Sequence, residues 1–179
     1  MTDEFIDRVA RLGDLETLRR VMNRSIAQLQ SKFLTPEQVA ASHEVMGLDS
    51  QLLRDGTYFL VECGDRVAGC GGWSFRETLY GGDDSIVTRE PSIVDPAIGA
   101  AKIRAMYTDP DFTRRGIGGR IIKLCEEAAR TAGYRQVELM ATAAGVPLYE
   151  SCGYTPKATL QFAQVDGVQV PLLQMGKAL

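Results

Sequence analysis

Hydrophobic residues recur at helical spacing in the first quarter of the chain. Asp14 is placed to cap a helix that runs to about Gln30. A second helix begins after Thr35, because Pro36 suits the first helical position and Gln38 completes a capping box with Thr35. The first helix has an apolar face made of Leu15, Leu18, Val21 and Met22.

A third helix is predicted in the second half of the chain, from about Gly118 to Ala132, with Gly133 as its C-terminal stop. A short helix from Gly145 to Ser151 follows, stopped near Gly153. The apolar face of the long helix consists of Ile121, Leu124, Cys125, Ala128 and Ala129.

Short apolar runs bounded by turn residues predict β-strands between these helices. The Gly64-Asp65 and Asp166-Gly167 pairs indicate hairpins. The predicted strands are Phe5–Leu12, Thr57–Cys63, Arg66–Phe75, Lys102–Thr108, Gln136–Ala141, Thr159–Val165 and Val168–Met175. The order is mixed α/β. Because no repeat or linker interrupts it, we expect one domain over residues 1–179.

The segment from Leu79 to Ala100 has no such pattern and is rich in glycine, proline and acidic residues. A loop this long in a compact domain is usually functional or mobile. We therefore expect it to supply, together with the helical segment Leu15–Leu53, the walls of a substrate site.

Composition narrows the function classes. Lys plus Arg is 20 against 23 Asp plus Glu, a net charge of -3 that gives no reason to expect a nucleic-acid partner. The sequence lacks a long apolar run and a signal peptide, which predicts a cytoplasmic protein without a membrane span. The sequence has 4 cysteines, none of them in a CxxC pair, so we expect free thiols. It has a single histidine, His43, so we expect no metal site.

A glycine-rich turn precedes the third helix and carries the strongest chemical signal. Gly116, Gly118 and Gly119 allow several backbone N–H groups to point towards one anion, and the helix N-terminus adds unpaired donors. Arg114 and Arg115, with Arg120 one turn later, add positive charge. The pattern predicts a phosphate or pyrophosphate site, although it matches neither a Walker loop nor a dinucleotide fingerprint. A plain glycine turn with solvated arginines is the alternative.

This turn resembles the pyrophosphate-binding motif of the GNAT superfamily of acyl-CoA N-acyltransferases, Q/R-x-x-G-x-G/A after a strand. The chain reads TRRGIG from Thr113, which stands at the Gln/Arg position, to Gly118. The resemblance implies that acetyl-CoA is the co-substrate and that backbone groups of Met106 and Thr108 pair with its pantetheine amides. The cofactor-binding residues implied are Met106, Thr108, Thr113, Arg114, Arg115, Gly116, Ile117, Gly118 and Gly119.

A second run, GVPLYESCGY from Gly145 to Tyr154, is similar to the family pattern A-x-x-F-Y-x-x-x-G-F. The resemblance implies a mostly antiparallel sheet of about seven strands flanked by helices, with a splayed central strand pair that receives the thioester. It also makes Tyr149, four residues before Gly153, the candidate general acid. Met106 N–H is the candidate donor to the tetrahedral oxyanion. Tyr154, like Tyr107, is expected to pack in the core.

The general base is not evident, because the strand that begins at Lys102 lacks the carboxylate that many relatives carry there. Glu77, Asp83 and Asp84 are candidates. A water relay, or an amine that is already partly neutral, is the alternative. His43 has a suitable pKa, but a lone helical histidine is more often structural or solvated. Cys152 is expected to be a buried thiol rather than a nucleophile.

The sequence thus predicts an N-acetyltransferase that transfers an acetyl group from acetyl-CoA to the primary amine of a small molecule. Two other functions remain open: an acetyltransferase acting on protein lysines or N-termini, and a non-catalytic acyl-CoA sensor. Formation of a homodimer is also left open.

Overall fold

A computed structural model describes residues 4–179 as five α-helices and eight β-strands. The helices are α1 (Leu15–Leu29), α2 (Pro36–Val45), α3 (Ser50–Arg54), α4 (Ile117–Thr131) and α5 (Val146–Ser151). The strands are β1 (Phe5–Val9), β2 (Tyr58–Cys63), β3 (Arg66–Ser74), β4 (Ala101–Thr108), β5 (Gln136–Thr142), β6 (Thr155–Pro156), β7 (Gln161–Val165) and β8 (Val168–Ala178). Within residues 4–179, no helix has both the length and the apolar character needed to cross a membrane.

All eight strands belong to one sheet, in the order β1-β2-β3-β4-β5-β8-β6, with β7 also paired to β8. Every pairing is antiparallel except that of β4 with β5. The predicted α/β fold with a mostly antiparallel sheet is therefore confirmed.

Helices cover both faces of the sheet. The apolar stripe of α4 packs on one face, where Ile121, Cys125 and Ala129 are buried with side chains of β2, β3 and β5. On the other face, Leu18 and Ile26 of α1 are buried against β3 and β4. The buried residues within each stripe are four or eight positions apart, and residues at this spacing lie on the same face of an α-helix.

The first predicted strand is too long, since β1 ends at Val9 and a 3-10 turn begins at Leu12. Asp14 stands at the predicted N-cap position of α1, but its side chain accepts a 2.7 Å hydrogen bond from the Arg11 backbone N–H and makes no capping bond to α1. The carboxylate of Asp14 also accepts 2.8 Å hydrogen bonds from Arg8. By contrast, the capping box predicted at Thr35 is present.

Strands β4 and β5 separate soon after they meet. Only Ala101 with Val137 and Lys102 with Glu138 are paired, at the start of both strands. Beyond these pairs the two strands diverge, which confirms the splayed central pair. On the side that pairs with β3, β4 carries a bulge, where Ala105 has a φ of 51°. The Ala105 carbonyl accepts a 2.6 Å hydrogen bond from the Tyr58 hydroxyl.

The segment from Leu79 to Ala100 has no regular strand or helix, yet it is tied to its surroundings by backbone hydrogen bonds. The N–H of Asp83 donates to Leu48 O at 2.9 Å, and that of Ile86 to Glu44 O at 3.0 Å. These bonds hold the first part of the segment beside α2 and α3.

Candidate active site

A cavity of about 430 Å³ lies where β4 and β5 diverge. One end is formed by the glycine-rich turn and by the start of α5. The other end is formed by α1, by the turn after it, and by the link between α2 and α3. The residues at this second end include Ser25, Leu29, Gln30, Phe33, Met46, Gly47, Leu79, Tyr80, Gly81, Arg104, Met140 and Leu172.

The glycine-rich turn leaves backbone N–H donors without intrahelical partners at the start of α4. Arg114 and Gly116 both have positive φ values, 63° and 79°, which turn the chain sharply before α4. The first intrahelical bond of α4 runs from the N–H of Arg120 to Gly116 O at 3.0 Å. The N–H groups of the three residues between them therefore have no intrahelical acceptor and are free to bind an anion.

Some of the predicted cofactor residues line the cavity and others do not. Met106, Thr108, Thr113, Arg114 and Gly118 line it. Outside it are Arg115, Gly116, Ile117 and Gly119.

Two of these outer residues pack against other parts of the chain. The Arg115 guanidinium stacks 4.9 Å from the centroid of the Phe5 ring. The Ile117 side chain is 2% exposed in the core, so only its backbone can take part in binding.

Two polar side chains of this region are engaged elsewhere. Arg120, expected to add positive charge to the anion site, instead forms an ion pair with Asp7 and donates to Phe5 O at 2.9 Å. The Thr113 hydroxyl donates to Pro110 O at 3.1 Å. Arg114, in contrast, makes no ion pair or side-chain hydrogen bond within residues 4–179, and it is exposed at the cavity.

Met106 and Thr108 lie on the part of β4 that has no pairing with β5. The side chain of Met106 lies against Gly71 of β3, where an added Cβ would overlap its Sδ. Since that side chain is directed at β3 and α4, it is the backbone of Met106 that is suited to meet a ligand in the gap between β4 and β5.

The Tyr149 hydroxyl, like that of Tyr154, has no acceptor among residues 4–179, whereas three other buried tyrosines are paired. The hydroxyls of Tyr58, Tyr107 and Tyr134 donate to backbone carbonyls at 2.6, 3.1 and 2.7 Å. Tyr149 is 7% exposed and lines the cavity. Burial raises the pKa of its hydroxyl above the ordinary value, so the group remains a proton donor at neutral pH.

No carboxylate lines the cavity within the described residues. Glu77 lies 3.7 Å from Lys102 Nζ, and Asp83 is hydrogen-bonded to Arg89 at 2.9 Å. Asp84 is 85% exposed, and His43 is on the exposed face of α2. Residues 4–179 also hold no cluster of three or more metal-ligating side chains.

A buried ion pair beside the cavity was not predicted from the sequence. Arg104 Nη1 lies 2.7 Å from Asp49 Oδ2, and the two side chains are 2% and 3% exposed. Arg104 Nη2 donates to Gly81 O at 2.6 Å, and Arg89 binds the other oxygen of Asp49 at 2.7 Å. The signal in the sequence was an arginine within the apolar strand β4, but its partner lies 55 residues away.

A family model described as "Acetyltransferase (GNAT) domain" matches residues 54–156, which is more than half of the chain. The match includes β4, the glycine-rich turn, α4 and Tyr149. A sequence search of curated proteins found no significant match.

Solved structures share the fold over the whole chain at low sequence identity. A GCN5-related N-acetyltransferase from Rhodopseudomonas palustris is 17% identical, with a TM-score of 0.66 over 100% of this chain and 97% of that one. A ribosomal-protein-alanine N-acetyltransferase from Brucella melitensis is 20% identical, with a TM-score of 0.64 over 97% and 99%. The PaiA N-acetyltransferase from Thermoplasma acidophilum, solved in complex with coenzyme A, is 14% identical, with a TM-score of 0.62 over 98% and 99%.

Proposed function

The chain belongs to the GNAT acetyltransferase family, and we propose that it transfers an acetyl group from acetyl-CoA to the primary amine of a small molecule. The observation that carries this proposal is the continuous cavity that connects Arg114 at one end with Tyr80 at the other and is lined by Tyr149 between them. Amine and thioester would meet there in a ternary complex. Both halves of the chain contribute walls, which favours a single working domain.

Acetyl-CoA is suited to the end of the cavity at the glycine-rich turn. The unpaired N–H groups at the start of α4 would donate hydrogen bonds to the pyrophosphate, and the exposed Arg114 would add a charge-assisted contact. The unpaired stretch of β4 at Met106 and Thr108 would pair with the pantetheine amides. That arrangement directs the thioester towards the gap between β4 and β5.

Acetyl-CoA supplies the activated acyl group, and the residues of the chain assist its transfer. The nitrogen of a neutral amine attacks the thioester carbonyl carbon, and the Met106 N–H would donate to the oxygen that becomes negative. The C–S bond then breaks and the sulfur takes a proton from the Tyr149 hydroxyl. Water takes the proton that the new amide nitrogen loses and returns one to Tyr149, so protons balance.

The walls of the cavity favour a small acceptor over a protein chain. The Arg104 guanidinium binds Gly81 O at 2.6 Å, and the Tyr107 hydroxyl binds Gly47 O at 3.1 Å. These two bonds hold the segments that wall the second end of the cavity. A volume of about 430 Å³ is within the usual range for a small-ligand pocket.

The test is amine-dependent release of free thiol from acetyl-CoA by the purified protein, over a panel of small amines and short peptides. The proposal expects release with small amines and an acetylated product of matching mass. Release with peptides alone would indicate a protein acceptor. Calorimetric binding of acetyl-CoA without turnover of any amine or peptide would identify a sensor.

A further inference from the structure

Gln30 follows α1 and lines the cavity although it is 6% exposed. Its Oε1 accepts no hydrogen bond from any residue between 4 and 179, and its Nε2 meets only the Met46 thioether sulfur, at 3.3 Å. Sulfur of this kind is a weak acceptor. Exchanging the oxygen and nitrogen of the Gln30 amide would not change this, because one of the two positions has no partner and the other faces only sulfur.

Arg104 is a second polar side chain of the cavity wall with unused hydrogen-bonding capacity. Its two Nη atoms bind Asp49 and Gly81, but its Nε has no acceptor in the described part of the chain. Buried polar groups are nearly always hydrogen-bonded, and those that are not require an explanation. Two of them at one cavity indicate that a ligand completes the site.

The charge of the cavity wall restricts the chemistry of that ligand. The ionised side chains that line it are Lys32, Arg104 and Arg114. All three are cationic, and Asp49, the nearest partner of Arg104, is already shared with Arg89. A second ammonium group on the acceptor would therefore meet no counter-ion, whereas a carboxylate would be attracted.

We propose that the acceptor is an amino acid or a related amine that carries a carboxylate next to its amino group, and that Gln30 binds it. The Gln30 carboxamide forms a hydrogen bond with the acceptor beside the reacting nitrogen. The guanidinium of Arg104 attracts its carboxylate. This inference rests on the proposed transfer of an acetyl group to a small amine.

The first test compares amino acids with the amines that remain when the carboxylate is removed. The pairs are leucine with 3-methylbutylamine, phenylalanine with 2-phenylethylamine, and lysine with 1,5-diaminopentane. Rates of thiol release are expressed per concentration of neutral amine, because the carboxylate also changes the pKa of the amine. We expect kcat/KM to be at least tenfold higher for the amino acid of each pair that is turned over.

Equal or faster turnover of the decarboxylated amines would overturn this inference and leave the acetyl transfer itself intact. If the protein acetylates other small amines of the panel but neither member of any pair, this inference fails and the proposed function stands; if it acetylates no small amine of the panel, the proposed function fails and the inference with it.

The second test removes the carboxamide. Gln30→Leu should raise the KM of the best amino acid at least tenfold and leave acetyl-CoA affinity unchanged. The melting temperature should stay the same or rise, because an unpaired buried amide is lost. Gln28→Leu, on the exposed face of α1, is the matched control and should change neither constant. If the leucine variant does not fold, Gln30→Met replaces it in this test. An unchanged KM for the amino acid in a folded Gln30 variant would overturn the role of Gln30.

Discussion

Gly118, in the first turn of α4, touches the side chain of Leu148 in α5. A Cβ added at Gly118 would lie 2.6 Å from Leu148 Cδ2, closer than carbon atoms approach one another. Both residues line the cavity. The contact therefore fixes the width of the cavity where the acyl-CoA arm would pass.

Replacement of Gly118 by valine should weaken acetyl-CoA binding. The larger side chain must displace Leu148, which lines the cavity, and such overpacking costs about 1–3 kcal/mol, or roughly 5- to 150-fold in affinity if it acts on binding. Calorimetric titration of a folded variant is the measurement. Gly119→Ala is the control, because nothing lies within 4 Å of a Cβ at that position. Equal affinities of the Gly118 variant and the unmodified protein would contradict the assignment.

Loss of the Tyr149 hydroxyl should reduce turnover. Tyr149→Phe keeps the ring and its edge-to-face contact with Tyr154, so we expect kcat to fall by roughly 10²-fold or more with acetyl-CoA affinity nearly unchanged. Steady-state kinetics with a good acceptor and calorimetry check the two expectations. Tyr154→Phe removes a hydroxyl outside the cavity and should retain kcat. Full kcat in Tyr149→Phe would mean that water protonates the thiolate.

The dependence of the rate on pH should follow the acceptor rather than an enzyme carboxylate. In the proposed mechanism the nucleophile is the neutral amine, and water, not an enzyme group, takes its proton. Below the pKa of the amine, kcat/KM should fall about tenfold per pH unit, because the neutral fraction falls by that factor.

The pH at which kcat/KM begins to fall should differ between two acceptors by the difference between the pKa values of their amines. Burial raises the pKa of Tyr149, so the proton donor is retained and no decline in rate is expected between neutral pH and about pH 10. An acidic limb at the same pH for every acceptor would instead reveal an enzyme base.

Asp49 should be important for stability. Asp49→Asn leaves the buried guanidinium of Arg104 without its counter-ion, and breaking a buried pair in this way costs about 3–5 kcal/mol. The free energy of unfolding, measured with urea, should fall accordingly. Asp84→Asn, which breaks an exposed 3.5 Å pair with Arg19, should change it little. Similar losses in the two variants would show that the Asp49 pair is not specially stabilising.

Several features could be predicted from the sequence because they depend on neighbouring residues. Hydrogen bonds within one turn specify the capping box at Thr35, and the spacing of apolar residues specifies the buried stripe of α4. Gly116 allows one of the two positive φ values in the turn before α4, although the other is at Arg114, where the sequence gives no such signal. The position of Tyr149 relative to Gly153 followed from the family motif.

Other features were decided only by the tertiary structure, because they join residues far apart in the chain. Asp49 and Arg104 are brought together because α3 packs on β3, the strand next to β4. Arg120 meets Asp7 across 113 positions of sequence. The divergence of β4 from β5 depends on pairings with β3 and β8 on either side. Gln30 lines the cavity only because α1 packs over β4, and a single sequence carries no local signal for such a long-range contact.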